Sequence, residues 1–341
     1  MLNKEILKNI KWLKEDENQR LIYLPPFYNI YKLLNEKLIS KIELEGFNPI
    51  YIDKDYQINE EEYMYYFSNF KKVDLRYRNS NLDLAKHKTL DILALFERFI
   101  NEQLALPCLS GKTLNKELTE FINLVYINGK YFEAGNIKYQ NGSIHAIFNF
   151  NIIDILLSNH MDEYGFILPP MVSPIQVCFL MEQKPFAKDI KFVNEHIHIL
   201  KQNGINASLD ESSLSMKEKI DSKFKEGIPL LIEVYHKNIE KDRYTLINRL
   251  TSEKIKISIN ELSLIKLMLR DIQNMMYKKS LKRYIENDAT SIPCCMNEEC
   301  INKLKENEYE IIIPFMQAQN SGNCLACGNK NKKIIKKYKK F

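Results

Sequence analysis

The sequence predicts a chain of mixed α/β and α+β class in three consecutive parts. An antiparallel sheet flanked by helices comes first, a mixed-sheet α/β domain second, and a small cysteine-clamped α/β domain last. Three observations carry this. Residues 111–150 read as β-runs broken by the turn pair Asn141-Gly142. Residues 175–286 alternate strand-like and helix-like segments, the layout of an α/β unit. Residues 294–327 hold five of the seven cysteines. The boundaries fall at 1–170, 171–286 and 287–341, and 341 residues are enough for each part to bury a core.

In chain order, residues 1–20 form a charged amphipathic pattern that predicts a helix. They have no apolar core region, so they read as neither a secretory signal nor a transit peptide. RLIYLPPF predicts a strand and a Pro-Pro turn. Ile30, Leu33, Leu34, Leu38 and Ile42 recur at helical spacing, with Gly46 as the stop. NPIYI predicts a strand, and TLDILALFERFINEQLA an amphipathic helix. Glu60, Glu61 and Glu62 read as a solvated face. GFILPPMVSP, with three prolines between 169 and 174, marks the boundary. Beyond it, IQVCFLM, INASLD, PLLIEVY and YTLINRLTSEKIKI predict strands. Helices are expected up to Gly204, up to Gly227, and across ELSLIKLMLRDIQNMMYKKSLKRYIEN.

Composition narrows the class. Hydrophobic residues are 45% and charged residues 27%, as in soluble globular proteins, and the longest apolar runs are too short to span a bilayer. A cytoplasmic protein without a membrane partner is expected. The net charge is +5, but the stretch from Lys330 to Lys340 carries seven lysines, and without them it is −2. That basic end reads either as a phosphate-contacting segment or as a solvated tail.

Near the C-terminus the spacing is C-x4-C then C-x2-C, with 23 residues between the pairs. In a reducing compartment such pairs read as metal ligands rather than disulfides. Cys295, Cys300, Cys324 and Cys327 supply four thiolates, with Cys294 competing for the first place. Four soft donors suit tetrahedral Zn²⁺ and leave no open position, so the expected zinc is structural. Cys108 and Cys178 lie in apolar contexts and read as core residues. His196 and His198 are two apart on a helix and point to different faces, which argues against a metal pair. LSGKT lacks the first glycine of a phosphate loop, and no G-x-S-x-G or H-E-x-x-H occurs.

The segment HMDEYGFILPPMVSPIQV resembles the junction between the catalytic and anticodon-binding domains of class II prolyl-tRNA synthetases. The matching positions are His160, Asp162, Gly165, Leu168, Pro169, Pro170, Val172, Pro174, Gln176 and Val177. Residues 206–257 resemble that family's anticodon-binding domain. The C-terminal cysteines resemble the zinc domain of its eukaryotic and archaeal-type members, whose C-x4-C spacing favours Cys295 over Cys294. More weakly, YLPPFYNIYKLLNEKLISKIELEGFNPIYI resembles the motif 1 helix and strand, which implies a homodimer. LRYRNSNL resembles the second strand of motif 2.

The departures from that family bear on activity. The resemblance implies a motif 3 arginine where this chain has Asn151, and a Thr-Ser-His where it has Asn136-Ile137-Lys138. The substrate loop and the first strand of motif 2 are expected to be deleted between Asp53 and Lys72. The N-terminal half is about 100 residues shorter than the family implies. Arg76 and Arg78 are the remaining candidates for ATP binding, and both also read as surface charges; Lys138 is the one nearby cation that could replace the missing arginine. ATP chemistry needs fixed cations on two polyanions, so aminoacylation is disfavoured and no catalytic residue is assigned.

In the anticodon-reading part, Lys219, Gly227 and Pro229 match but the tryptophans and the reading glutamate do not. Glu233, Arg249, Glu253 and Lys254 persist, either as a sheet-edge ion network or as nucleic-acid contacts. The expected partner is tRNA or another RNA, held at the backbone by Lys219, Arg249, Lys254, Lys332, Lys333, Lys336 and Lys337. The favoured function is a degenerate, non-catalytic paralogue that binds RNA or regulates an enzyme. The alternatives are a divergent active prolyl-tRNA ligase or other amino-acid-activating ligase, and an interaction protein without an RNA role.

Overall fold

Two Asn-Gly pairs organise the larger sheet. Asn128 and Gly129 have φ of 50° and 81°, and Asn141 and Gly142 have 47° and 82°. Two successive left-handed residues make the turn whose twist matches antiparallel strands. Each pair joins neighbours: Thr119–Ile127 to Lys130–Gln140, and Lys130–Gln140 to Ser143–Asn149. The sequence reading identified the second turn and missed the first, although the signal is the same.

The computed structural model describes residues 4–17, 21–49, 63–68, 72–114, 118–287, 291–305, 309–317, 322–330 and 333–338. Glu60, Glu61, Glu62 and Lys332 lie outside them. The chain forms two units, each from two separate segments: 1–35 with 154–278, and 36–153 with 279–341. The sequence divided it instead into three consecutive parts. The grouping differs because long-range pairing outweighs chain order.

In the second unit one sheet has ten strands. Their order is Ile292–Cys294, Lys333–Tyr338, Glu310–Pro314, Cys108–Thr113, Thr119–Ile127, Lys130–Gln140, Ser143–Asn149, Lys72–Arg78, Tyr63–Ser68 and Asn48–Pro49. All neighbours are antiparallel except the last pair. The cysteine segment is therefore not a free-standing part. Its Glu310–Pro314 strand continues the sheet through Ile312↔Thr113 and Pro314↔Gly111, and Phe315 N–H donates to Ser110 O at 3.0 Å. The lysine-rich end is no solvated tail over Lys333–Tyr338. It is an inner strand, with Ile334 and Ile335 buried.

Helix Leu82–Arg98 covers one face of this sheet. Asn81 caps it, its side chain accepting from the N–H groups of Asp83 and Leu84. Phe96 reaches the sheet because Gly135 lies beneath it; a Cβ there would stand 2.7 Å from the ring. Helix Pro25–Leu44 begins with the two prolines, which a first turn tolerates because its N–H groups need no partner there. Ile30, Leu34, Leu38 and Ile42 are all fully buried, Leu33 is half-buried, and Gly46, at φ 88°, ends the pattern.

The expected N-terminal helix over 1–20 is shorter. Lys4–Asn9 is helical, Lys11 turns at φ 58°, and Leu13–Glu15 pairs with Leu21–Tyr23. Trp12 is buried and stacks on Phe166 at 5.2 Å, a contact that period alone does not reveal.

The first unit contains a five-stranded mixed sheet in the order Ala207–Asp210, Val177–Met181, Leu230–Val234, Arg243–Asn248, Lys254–Ser258. The first three are parallel and the last two antiparallel. Helices Ala187–Gln202 and Met216–Lys225 make the crossovers and end at Gly204 and Gly227, both at φ 76°. Val177–Met181 and Leu230–Val234 are buried along their whole length, as central parallel strands should be. His196 is buried, with Nδ1 2.6 Å from Tyr244 Oη, while the exposed His198 faces Gln202, so the two histidines do point apart.

Candidate metal centre and nucleic-acid interface

The four sulfurs of Cys295, Cys300, Cys324 and Cys327 lie within 4.8 Å of one another, and those of Cys295 and Cys327 are 3.7 Å apart. A tetrahedral ion with metal–sulfur bonds of about 2.3 Å needs sulfurs about 3.8 Å apart, so the set fits a single metal ion.

Local structure explains how the set forms. Strand Ile292–Cys294 ends with Cys294 fully buried, packed in a cluster with Ile311 and Ile335. Cys294 packs in the same buried cluster as Cys300 and Cys324, but beyond the turn at Met296, φ 66°, it is Cys295 whose sulfur comes within 4.8 Å of all three others. Cys300 rides on helix Glu298–Leu304, capped by Asn297. Cys324 and Cys327 share a tight turn in which Gly328 N–H donates to Cys324 O and Cys324 N–H to Asn329 O, both at 2.8 Å. The Cys295 N–H, helped by those of Ala326 and Cys327, holds the Cys324 thiol down to about 6 against the opposing effect of burial. A thiolate is the form that binds metal.

The residues expected to hold RNA divide sharply. Lys219 is fully buried; its Nζ donates to Met181 O at 2.8 Å and Asp210 O at 3.2 Å. Arg249 is 1% exposed. It donates to both Asp162 oxygens at 2.7 Å and to Phe224 O at 2.9 Å, and its guanidinium lies 4.8 Å from the Phe224 ring centre. Burial alone would raise the Asp162 pKa, but Arg249 reverses that and holds the carboxyl below its ordinary value. Lys336 is buried, with Nζ 2.9 Å from Ser291 Oγ and close to the rings of Tyr131 and Tyr284. These three are committed to internal contacts, and Lys337 is half-buried. Lys254 pairs with Glu233 at 2.6 Å, yet its side chain is 54% exposed, and Lys333 is exposed. Glu233 and Lys254 thus form an ion pair, while Arg249 belongs to a separate one.

A different part of the same domain faces solvent with suitable chemistry. The strand order reverses at Val177–Met181 and Leu230–Val234, and the crevice outside the carboxyl ends of such strands is where open α/β sheets take ligands. A pocket of about 500 Å³ lies there, lined by Glu182, Gln183, Lys184, Ser215, Met216 and Tyr235. Beside it Phe186, 54% exposed, lies with its ring centre 4.6 Å from that of His236, the two planes tilted by 57°. Lys188 Nζ lies 5.7 Å from the Phe186 ring centre, and Lys237 Nζ 5.5 Å from that of Tyr235. Sequence reasoning missed these residues because they come from several separate segments.

On the antiparallel sheet, Arg76, His145 and Lys138 stand opposite one another on three adjacent strands. Asp74 Oδ1 is 3.1 Å from Arg76 Nε and 2.7 Å from His145 Nε2. Arg78 and Asn151 are exposed. Strand Tyr63–Ser68 pairs with Lys72–Arg78 through Tyr63↔Tyr77. The stretch before Lys72 therefore does contain a strand, where the sequence reading expected a deletion.

Residues 177–265 match the family described as Anticodon binding domain, which covers the whole mixed sheet. The first unit is thus built around an anticodon-binding domain. Over a longer span the chain is similar to proline–tRNA ligases. It is 30% identical over 261 residues to that of Mesoplasma florum, covering 68% of this chain and 54% of the relative. It is 27% identical over 302 residues to that of Clostridium botulinum, covering 74% and 62%. In sequence the protein is thus prolyl-tRNA synthetase-like. It spans about half to three-fifths of the length of these relatives. Among the described residues no helix is long and apolar enough to cross a membrane.

Proposed function

We propose that this protein binds tRNA through the crevice at the carboxyl ends of the mixed sheet and does not itself form an aminoacyl-adenylate. The observation that carries the first half is a rim of exposed Phe186, Lys184, Lys188 and Lys237 beside the half-buried rings of His236 and Tyr235, on a domain that matches the anticodon-binding family. Unpaired anticodon bases offer π faces for such rings and phosphates for such cations. The second half rests on Asn151 at the position of the expected motif 3 arginine, and on Arg76, which lies against Asp74 rather than being free for a phosphate. The four cysteines hold structural Zn²⁺ in this reading, and the chain pairs as a homodimer through its motif 1-like helix.

Filter binding of tRNA across a salt series tests the first half. Affinity should fall steeply with salt, and no binding at low salt would remove it. Pyrophosphate exchange with ATP and each amino acid tests the second. The row of Arg76, His145 and Lys138 favours an active ligase as the second reading, because three cationic or protonatable side chains share one line across the sheet. Exchange above background would establish that reading in place of ours. A native mass measurement reads dimer and bound metal together.

A further inference from the structure

The second unit holds a pocket of about 720 Å³ that neither the RNA reading nor the metal reading uses. Strands Cys108–Thr113, Thr119–Ile127, Glu310–Pro314 and Lys333–Tyr338 contribute its walls, together with helix Glu298–Leu304. Its lining carries three carboxylates, Glu120, Glu298 and Glu310, against one lysine, Lys305, and that lysine is already 3.4 Å from Glu310. Glu120 is 7% exposed and is held in place by neutral donors: Asn136 Nδ2 at 2.7 Å and Thr113 Oγ1 at 3.2 Å. Among the described residues it has no cationic partner, and a buried carboxylate in that state is costly.

A second observation points into the same space. Tyr338 lines the pocket and is 1% exposed, yet its hydroxyl has no hydrogen-bond partner among the described residues. Burial and the carboxylates of Glu133, Glu120 and Glu310 push its pKa up, so it remains a phenol that can accept from or lie against a cation.

The spacing selects the kind of cation. Among the described residues only the four cysteines bring donor atoms close enough to share one ion, so these carboxylates do not converge on a single metal. The remaining wall includes Leu114, Met296, Ile301 and Ile311, which suit methylene chain. We propose that the pocket framed by Glu120, Glu310 and Tyr338 binds an aliphatic polyamine, with ammonium groups on the carboxylates and its methylenes along the apolar wall. This goes beyond the RNA reading and does not depend on it.

The test is calorimetric titration of the full chain, freed of nucleic acid, with spermidine, putrescine and Mg²⁺ at fixed ionic strength. Spermidine should bind saturably at one site per chain and more tightly than Mg²⁺. Glu120→Gln and Glu310→Gln should each weaken it about tenfold, the worth of a charge-assisted hydrogen bond. Circular dichroism checks folding. If Glu120→Gln does not fold, the half-exposed Glu310 carries the test alone. Absence of saturable spermidine binding, Mg²⁺ binding as tightly, or unchanged affinity in the folded glutamine variants would overturn the proposal. Because no RNA is present, failure here leaves the tRNA reading standing, and the converse holds too.

Discussion

Arg249 grips Asp162 through two 2.7 Å hydrogen bonds across 87 residues of sequence. Both residues stood out in the sequence for other reasons, Asp162 in the junction motif and Arg249 as an RNA contact. Their pairing makes each explain the other. The guanidinium is buried, so it works as a clasp between the junction hairpin and the mixed sheet within the first unit.

Breaking that clasp should be costly. Arg249→Leu leaves Phe224 O and the partly exposed Asp162 carboxylate without their donor, a loss of roughly 1–3 kcal/mol for hydrogen bonds to a charged group that water can partly replace. Urea unfolding should show a large fall in the midpoint.

The same pair sets an acid limit. The Asp162 pKa is depressed in the folded protein below the 3.8 of a free aspartate, so its stabilisation is fully present above that ordinary value. It is lost as pH falls through the lower folded value. Stability measured from pH 6 to pH 2 should fall in the acid range, and Asp162→Asn should flatten that part of the profile.

Lys219 should behave as a brace rather than as a phosphate contact. Lys219→Met leaves Met181 O and Asp210 O without a donor, at a cost of roughly 1–3 kcal/mol. The salt slope of tRNA binding by the folded variant should not change. A phosphate contact would instead lower the slope by about 1.

The crevice rim should carry the RNA affinity. Phe186→Ala and Tyr235→Ala should each weaken tRNA binding by about 1–3 kcal/mol per stacked base without altering the salt slope. Lys184→Ala and Lys237→Ala should lower the slope. Filter binding across the salt series separates the two effects.

Metal content should follow the sulfur geometry. Cys295→Ser should lower the bound metal seen by native mass measurement, and Cys294→Ala should leave it unchanged. A strong chelator should lower thermal stability, since structural zinc contributes on the order of 10 kcal/mol of apparent binding free energy. Unchanged stability would mean that the cluster is not a structural zinc site.

Much of this protein was legible before its structure. The buried stripe from Ile30 to Ile42, the Asn141-Gly142 turn and the glycine stops at Gly204 and Gly227 are local signals, readable because period and backbone freedom act within a few residues. The cysteine pairs pointed to the four-sulfur cluster, and the junction motif to the prolyl-tRNA synthetase resemblance. The N-terminal helix was over-extended because the Leu13–Glu15 strand is defined by its pairing with Leu21–Tyr23, and no period of its own marks it.

What the sequence determined by itself was the class of most elements, the family resemblance and the set of four cysteines, all of which depend on neighbours along the chain. Only the tertiary structure decided which charges meet solvent. Lys219, Arg249 and Lys336 are basic letters like any other, but a fold that surrounds them with carbonyls, a carboxylate or aromatic rings removes them from any phosphate. It also decided that Lys333–Tyr338 form an inner strand, that Cys295 rather than Cys294 completes the set of four sulfurs, and that Phe186, Ser215 and Tyr235 share one end of the domain. The reason is the same in each case: burial and pairing are set by segments far apart in sequence, and no local pattern encodes how those segments meet.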